Sequence, residues 1–207
     1  MKQTVKIAFY LLSYVLISPL LFIYVLIYQL PGDHDKLFEA YSQLFSLIPG
    51  RTGNFLRAAY YHFALRNCPL DILVAFHTLM SQKETEISSG VYIGPQCNVG
   101  LCKIGKNTLL GSGVHVVSGK SQHFTDNLDV PIKDQGGKFQ KIEIGEDCWI
   151  GNASIIMANI GSHSIVGAGS VVVDDIPAYA IAAGNPARVI KFRNEAGSQG
   201  KEIKEDK

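Results

Sequence analysis

An aliphatic residue returns about every sixth position between Ile87 and Val172, and most often a glycine follows it. A period of six is neither helical nor the two-residue alternation of an ordinary strand, so it indicates a repeat architecture. Hexapeptide repeats predict an all-β solenoid, a parallel β-helix in which each hexad forms one flat side of a triangular coil. We expect the aliphatic side chains to point inward and the glycines to relieve the backbone at the corners. The inward positions are Ile87, Ile93, Val99, Ile104, Leu110, Val116, Ile144, Ile150, Ile156, Ile160, Val166 and Val172.

One long interruption breaks the repeat between Val116 and Ile144. Long insertions in compact domains are usually functional or disordered. This one, at residues 119–141, contains His123, Asp126 and Asp129 within seven residues. The composition favours a loop built for chemistry, and a solvated surface excursion is the alternative.

Composition and charge exclude several classes of partner and site. The net charge is +1 and the sequence has no basic stripe, so we expect no nucleic-acid partner. The four cysteines show no Cys-x-x-Cys spacing and no accompanying histidine cluster, which argues against a zinc site or a disulfide framework. Cys97, Cys102 and Cys148 fall within hexads and are predicted to be small packing residues in a reducing compartment.

The first 32 residues contain a stretch from Ile7 to Leu30 without a single charge. About 20 apolar residues suffice to cross a bilayer as a helix, so residues 1–32 are predicted to be a retained membrane segment. A buried core helix is the alternative. Because Ser18-Pro19 lies at the centre of the stretch, the segment is predicted to be a kinked span or, less favoured, a re-entrant hairpin.

Three further regions follow the apolar segment. Residues 33–80 are predicted to be amphipathic helices that cap the first turn of the coil, or that lie with basic and aromatic side chains on an anionic membrane. Residues 81–192 are predicted to form the coil with its loop. The polar tail at 193–207 is predicted to be disordered.

Two runs after the loop, together with His123, resemble the left-handed β-helix O-acetyltransferases. The runs are IGEDCWIGNASIIM at 144–157 and VGAGSVVVDDIPAYAIAAGNPARVIK at 166–191. This superfamily includes the maltose, galactoside, nodulation-factor and exopolysaccharide acetyltransferases. The resemblance covers about residues 85–192, and residues 1–80 look more loosely like the membrane-associated extension of exopolysaccharide-type members.

The resemblance implies acetyl transfer from acetyl-CoA, used as a co-substrate without a metal, to a hydroxyl of a sugar or glycan precursor. It also implies a homotrimer in which coenzyme A lies along the groove between adjacent subunits. Arg188 and Lys191 would then meet the nucleotide phosphates. The residues implied along the pantetheine path are Trp149, Gly151, Asn152, Ala153, Ala168, Gly169 and Ser170. Plain coil geometry is an alternative explanation for the small residues, and surface packing for Trp149.

Acetyl transfer to a hydroxyl needs a base, and histidine suits this role because its pKa lies near neutral pH. His123 is the candidate base, with Asp126 as its partner; Asp129 is the alternative carboxylate and His115 the alternative histidine. Two departures from the maltose-type pattern stand out. The loop reads His123-Phe124-Thr125-Asp126 instead of histidine-proline-leucine-aspartate. The stretch from Ile156 to Ile160 is two residues shorter than the usual turn of that pattern.

Several other activities remain open from the sequence. They are acylation of a small amine or antibiotic, acyl-carrier-protein-dependent lipid acylation, a γ-carbonic-anhydrase-like metalloenzyme and a non-catalytic scaffold. We favour a membrane-associated O-acetyltransferase. Since acetyl-CoA is cytosolic, its catalytic domain is expected to face the cytoplasm.

Overall fold

The computed structural model describes residues 2–194, with side chains from residue 6 onward. Three helices come first: α1 (Lys2–Tyr28), α2 (His34–Ser46) and α3 (Gly50–Ala64). The tail predicted to be disordered lies, from residue 195 on, outside the described residues. The strands that follow are β1 (Leu73–Val74), β2 (Leu79–Met80), β3 (Glu86–Ile87), β4 (Tyr92–Ile93), β5 (Asn98–Val99), β6 (Cys102–Ile104), β7 (Leu109–Leu110), β8 (His115–Val116), β9 (Ile142–Ile144), β10 (Trp149–Ile150), β11 (Ile155–Ile156), β12 (Ile165–Val166), β13 (Val171–Val172), β14 (Ala180–Gly184) and β15 (Ala187–Phe192).

These strands form a three-sided coil, because consecutive strands join three sheets in rotation. Face I contains β1, β4, β7, β10, β12, β14 and β15; face II contains β2, β5, β8, β11 and β13; face III contains β3, β6 and β9. All pairs are parallel except β14 with β15. The coil is also continuous beneath the long insertion, since β8 pairs directly with β11 and β6 with β9.

The inward stack predicted from the hexads is confirmed. All twelve aliphatic positions are at most 2% exposed. Burying one such side chain stabilises a fold by roughly 1.5–3 kcal/mol, so the repeat itself builds the core. The buried cysteines in the hexads are free and pack in this interior, as expected.

The glycines after the aliphatic positions have a different role from the one predicted. A Cβ at Gly151 would overlap the backbone of Ala168 in the next turn, and one at Gly111 would overlap Asn152. These glycines therefore allow adjacent turns to stack closely. The corner itself is two residues later, where Ala153 has φ 56° and Gly169 φ 69°.

The coil begins before residue 81, where the sequence placed its boundary. β1 pairs with β4 and β2 with β5, so the first turn already includes Val74 and Met80. The helical part ends at Ala64. The early turn was missed because Ala75 and Ser81 stand where later turns have glycine.

The helices α2 and α3 cap the open end of the coil. The Ser42 hydroxyl of α2 accepts a hydrogen bond from the Met80 backbone N–H, and the Ser46 carbonyl accepts one from His77 N–H. Arg57 of α3 is fully buried, although basic side chains of residues 33–80 on a membrane surface were one of the two alternatives from the sequence. Its guanidinium donates to the carbonyls of Phe45, Ile48 and Val74 and to the Asn54 side chain. Burial lowers the pKa of Arg57.

Helix α1 is continuous through Pro19, so the re-entrant hairpin considered from the sequence is not present. The segment Lys6–Tyr28 has a mean hydropathy of 2.2 and is, by length and composition, able to cross a membrane. One face of α1 packs against the other helices: Tyr10 contacts the ring of Phe55, and Tyr24 that of Tyr60.

Candidate functional site

The insertion at residues 119–141 leaves the coil as two antiparallel arms. Backbone hydrogen bonds join Gln140 to Ser118, Lys138 to Ser121 and Phe124 to Gly136. Ion pairs anchor both ends of the insertion, from Lys120 to Asp174 at 3.2 Å and from Lys141 to Glu86 at 2.5 Å. The loop is therefore built on a hydrogen-bonded stem.

Beyond the stem, Gln135 organises the outer part of the loop. Its amide donates to the carbonyls of Asn127 and Val130, both at 2.7 Å, and its oxygen accepts from the Asn127 N–H. The short 3₁₀ turn Ile132–Asp134 precedes it. Sequence reasoning missed this role, because a single glutamine in a polar loop gives no pattern.

His123 lies on this stem between two pinned positions, with its side chain exposed to solvent. The hydrogen bonds at Ser121 and Phe124 fix the backbone on either side of it. Asp126 and Asp129 are also exposed, and among residues 2–194 no ion pair within 4.0 Å joins either carboxylate to His123. The pairing of His123 with Asp126 stays a prediction.

Gly137 sets the geometry opposite His123. A Cβ at this position would overlap the carbonyl of Gln122 and lie 2.9 Å from the His123 backbone nitrogen. The two arms approach closely at this point, and any larger side chain must push them apart.

We expect Gly137→Ala to lower acetyl-transfer turnover about tenfold or more if His123 is the base, because a displacement near 1 Å at a catalytic group costs about that much or more. Turnover and thermal unfolding are the measurements. The matched control is Gly32→Ala, since a Cβ at Gly32 meets nothing within 4 Å. Equal turnover in the two variants would show that the arm spacing does not position His123.

Four of the other histidines already have structural contacts. His163 lies 3.1 Å from an Asp147 carboxylate oxygen and stacks on Tyr179, whereas His62 Nδ1 contacts the Cys68 carbonyl. His34 stacks on Tyr28, and the ring of His77 lies against Phe76. The alternative base, His115, is exposed on face II between Asn98 and Ile155. His123 is the one of the six that lies on the inserted loop.

The buried cysteines do not offer a nucleophile. Burial raises the pKa of the Cys68 and Cys102 thiols to about 12, and it also raises that of Cys97 and Cys148. A thiol with a raised pKa is protonated at neutral pH, and the thiol form is a poor nucleophile. Covalent transfer through cysteine is therefore disfavoured.

The outer side of face I brings Trp149 and Lys191 into one row. Parallel register sets Trp149 beside Ile165 and Ile165 beside Ile181, and Lys191 of β15 opposes Ile181. Three strand spacings of about 4.8 Å put the two ends of this row roughly 14 Å apart. Trp149 is 54% exposed, so its ring is free on this surface.

A bulge in β15 turns both predicted cations to the same side. Arg188 opposes Ala183 and Lys191 opposes Ile181, although the cations are three positions apart along the chain. In a regular strand a separation of three would put them on opposite faces. The bulge places both beside the outward-facing positions of β14, which no spacing rule applied to the sequence predicts.

Most of the other predicted cofactor residues form the adjacent corner, between faces I and II. Asn152 and Ala153 are exposed there, and so are Ala168 and Gly169. Their turns are stacked directly, because Gly169 N–H donates to the Asn152 carbonyl at 2.8 Å. Gly151 is buried against the turn that contains Ala168.

Ser170 differs from the prediction. Its side chain is fully buried, donates to the Gly167 carbonyl at 2.6 Å and accepts from the Gly184 N–H. The hydroxyl is thus inside the coil and cannot line a ligand path on the outer surface. It belongs to a column of small polar residues that satisfy corner carbonyls, as Ser154 and Thr108 do.

The loop and the face I surface are separate within one chain. The loop leaves the coil after β8, at the corner between faces II and III, whereas Trp149 and the corner at Asn152 lie on the other side of face II. Asp174 connects them at the end of the coil, since its carboxylate lies 3.2 Å from Lys120 of the loop and 3.7 Å from Arg188. Within residues 2–194 no group of three potential metal ligands is present.

The fold is shared with solved acyltransferases. A maltose O-acetyltransferase from Clostridium difficile matches with a TM-score of 0.58 at 22% identity, over 78% of this chain and 89% of that one. AntD, an N-acyltransferase from Bacillus cereus solved with dTDP and 3-hydroxybutyryl-CoA, matches with a TM-score of 0.50 at 23% identity, over 59% and 69%. The coil thus has the architecture of these acyltransferases.

Curated relatives found by sequence narrow the class of acyltransferase to acetyltransferases. Galactoside O-acetyltransferase from Escherichia coli is 36% identical over 96 residues, which cover 44% of each chain. The chain spans less than half the length of the curated relatives that match it first. No family model matches. Since these relatives are named as acetyltransferases, two of them as putative or probable, the resemblance carried by the runs at 144–157 and 166–191 is confirmed.

Proposed function

We propose that the chain is an acetyl-CoA-dependent O-acetyltransferase that acts on a hydroxyl of a sugar or glycan precursor. The observation that favours it is the exposed His123 on a hydrogen-bonded stem, which interrupts an otherwise continuous coil. A scaffold needs no such insertion. The proposal includes a left-handed sense for the coil, as in the family that it resembles.

His123 is the general base in the proposed reaction. A neutral imidazole nitrogen takes the hydroxyl proton as the oxygen attacks the thioester carbonyl. The tetrahedral intermediate collapses to the acetyl ester and the coenzyme A thiolate, which takes up a proton. Asp126 would fix the imidazole tautomer from the other nitrogen, with Asp129 as the alternative.

Coenzyme A is proposed to lie along face I and its corner with face II. Trp149 and the exposed turns at Asn152 and Ala168 would line the pantetheine, and Arg188 and Lys191 would meet the phosphates. The bulge that turns both cations outward supports this assignment. The acyl-CoA in the structure of AntD supports the choice of cofactor.

A homotrimer would complete the site. His123 and the face I surface are apart in one chain, so a groove between subunits would bring one copy's loop to another's face. An exposed apolar row on face I suits this contact. Tyr92, Leu109 and Trp149 are aligned there by parallel register and are 36%, 40% and 54% exposed.

Loss of one cation is expected to weaken acetyl-CoA binding. Lys191→Gln should raise the KM for acetyl-CoA at least about tenfold while kcat changes little, because a charge-assisted contact contributes roughly 1.5–3 kcal/mol. Lys103→Gln on face III, the same change of charge on another side of the coil, is the control. An unchanged KM in Lys191→Gln would remove this lysine from the cofactor site.

The membrane is the second proposed partner, through residues 7–30. The apolar helix Lys6–Tyr28 supports this association. Because acetyl-CoA is cytosolic, the catalytic domain is proposed to face the cytoplasm.

The direct test measures coenzyme A release from acetyl-CoA over a panel of sugar acceptors, with amino sugars and small amines as a second arm. Acetylation of a sugar hydroxyl is the expected result. Turnover with amines alone would favour N-acylation, the activity of AntD. One tightly bound metal ion per chain, without acetyl transfer, would contradict the proposal.

A further inference from the structure

Helix α1 has two distinct faces, although it is apolar all round. The buried side chains recur at spacings of three and four, as one helical stripe. They are Tyr10, Ser13, Ile17, Leu21 and Tyr24. On the rest of its surface, Ile7, Phe9, Leu11, Leu12, Val15, Leu16, Phe22, Ile23, Val25, Leu26 and Ile27 are between 39% and 68% exposed. An exposed apolar surface of this extent is unusual unless something covers it.

The buried stripe contacts the folded domain along nearly the whole helix. Tyr10 packs edge-on against the ring of Phe55 near the N-terminus, and Tyr14 lies 6.2 Å from the ring of His62. At the other end the Tyr28 hydroxyl accepts from Lys83 Nζ at 3.1 Å. From Tyr10 to Tyr28 this contact spans about 27 Å at 1.5 Å per residue.

That packing is incompatible with a helix that crosses a bilayer. A spanning helix needs about 30 Å of hydrocarbon around it or other membrane-embedded helices beside it. Here the parts of the folded domain beside α1 carry polar groups near both ends and near the middle of the helix. Asp71 and Tyr10 line one cavity of about 670 Å³, and His62 and Lys83 follow along the helix. A transbilayer position would bring these groups into the hydrocarbon, where each unsatisfied one costs several kcal/mol.

A lysine lies beside a tyrosine at each end of the exposed face, and the second of these lysines also pairs with Glu84 at 3.5 Å. Lys6 Nζ lies 5.8 Å from the centre of the Tyr10 ring, and Lys83 Nζ lies 5.6 Å from that of Tyr28. A lysine beside a tyrosine at each end suits the level of lipid phosphates, because both side chains have an apolar body and a polar tip. Two such ends can be at the same level only if the helix lies parallel to the membrane.

We propose that α1 lies in the plane of a single anionic leaflet, with its exposed face in the lipid and its stripe on the folded domain, and that it does not cross the bilayer. The proposal rests on the membrane association proposed above and replaces the span expected from the sequence. Both ends of α1 are then on the side of the catalytic domain.

The first test locates both ends of α1 in sealed cells. The variants Gln3→Cys, Gln29→Cys and Lys138→Cys are labelled with a membrane-impermeant maleimide before and after permeabilisation. The native cysteines give little background, because all four are buried. We expect all three variants to label from the same side. Labelling of Gln3→Cys and Gln29→Cys from opposite sides would establish a span and overturn the proposal.

The second test identifies what covers the exposed face. The full chain is floated with vesicles of phosphatidylcholine, with or without phosphatidylglycerol. Val15→Glu/Leu26→Glu, on the exposed face, should reduce the floating fraction at least tenfold. Leu128→Glu/Ile132→Glu is the matched control, since these two apolar side chains are 95% and 55% exposed on the inserted loop.

Other outcomes separate the two proposals. A wild-type chain that stays in solution as an oligomer without floating would mean that a second copy covers the face, and both the in-plane helix and the membrane association would fail. Neither readout measures acetyl transfer. The proposed enzyme activity therefore stands or fails independently.

Discussion

Replacing His123 by alanine is expected to reduce acetyl transfer by about 10²–10⁴-fold, which is the usual contribution of a general base. The stem hydrogen bonds that flank His123 are made by the backbone, so the loop should keep its shape in the variant. Binding of acetyl-CoA should change little, because the proposed cofactor surface is on face I. The measurement is kcat and the KM for acetyl-CoA on the acceptor found in the screen.

His115→Ala is the matched control for that variant. His115 is exposed on β8 and is close to the loop in sequence. Its strand pairs with β5 and β11 of face II, and with neither the stem nor face I. We expect its turnover to stay within about twofold of wild type. If His115→Ala loses activity while His123→Ala retains it, the base was assigned to the wrong histidine.

Arg57→Met should have the largest effect on stability. Removing the guanidinium leaves the carbonyls of Val74 and Ile48 without a donor, and the Phe45 carbonyl keeps only the Ile48 N–H at 3.4 Å. An unsatisfied buried polar group costs about 1–3 kcal/mol, so a loss of about 3–5 kcal/mol in the free energy of unfolding is expected. Denaturant unfolding of the full chain in detergent measures it.

Arg66→Met, the same exchange at an exposed arginine, is the control for Arg57→Met. Its effect should stay within about 0.5 kcal/mol. Similar stability of the two variants would mean that the cap does not depend on the buried guanidinium. Because Arg57 joins the end of α2 to β1, we also expect the cap and the first turn of the coil to unfold together.

The coil was predictable because burial in it is periodic. Each side of a turn places one aliphatic side chain, such as Ile93 or Ile150, at an equivalent inward point, and the sequence repeats with that six-residue spacing. The repeat pattern did not reveal the first turn, because Ala75 and Ser81 stand where later turns have glycine. The neighbouring turn accommodates these small side chains. The loop with His123 was predictable because it breaks the register.

The arrangement of the candidate cofactor residues could be predicted only in part. The turns at Asn152 and Ala168 follow from the repeat, but Ser170 points inward because its hydroxyl satisfies corner backbone groups. Arg188 and Lys191 lie on the same side of β15 because of a bulge, which is seen as a shift in the register with β14. Their spacing of three in the sequence does not indicate this bulge. The stripe on α1 did leave a signal, since Tyr10 and Tyr24 are polar-tipped residues at helical spacing in an apolar segment.

Because β8 pairs with β11 beneath the insertion, the stability of the coil depends little on the sequence of the loop. The turns on either side of the loop are already stacked, so the loop adds little to the continuity of the core. Lengthening a surface loop costs little free energy, about 0.6 kcal/mol for each doubling. Substitutions and length changes at residues 125–135 can therefore accumulate with little effect on folding. Acceptor preference can diverge among such chains much faster than the coil that supports it.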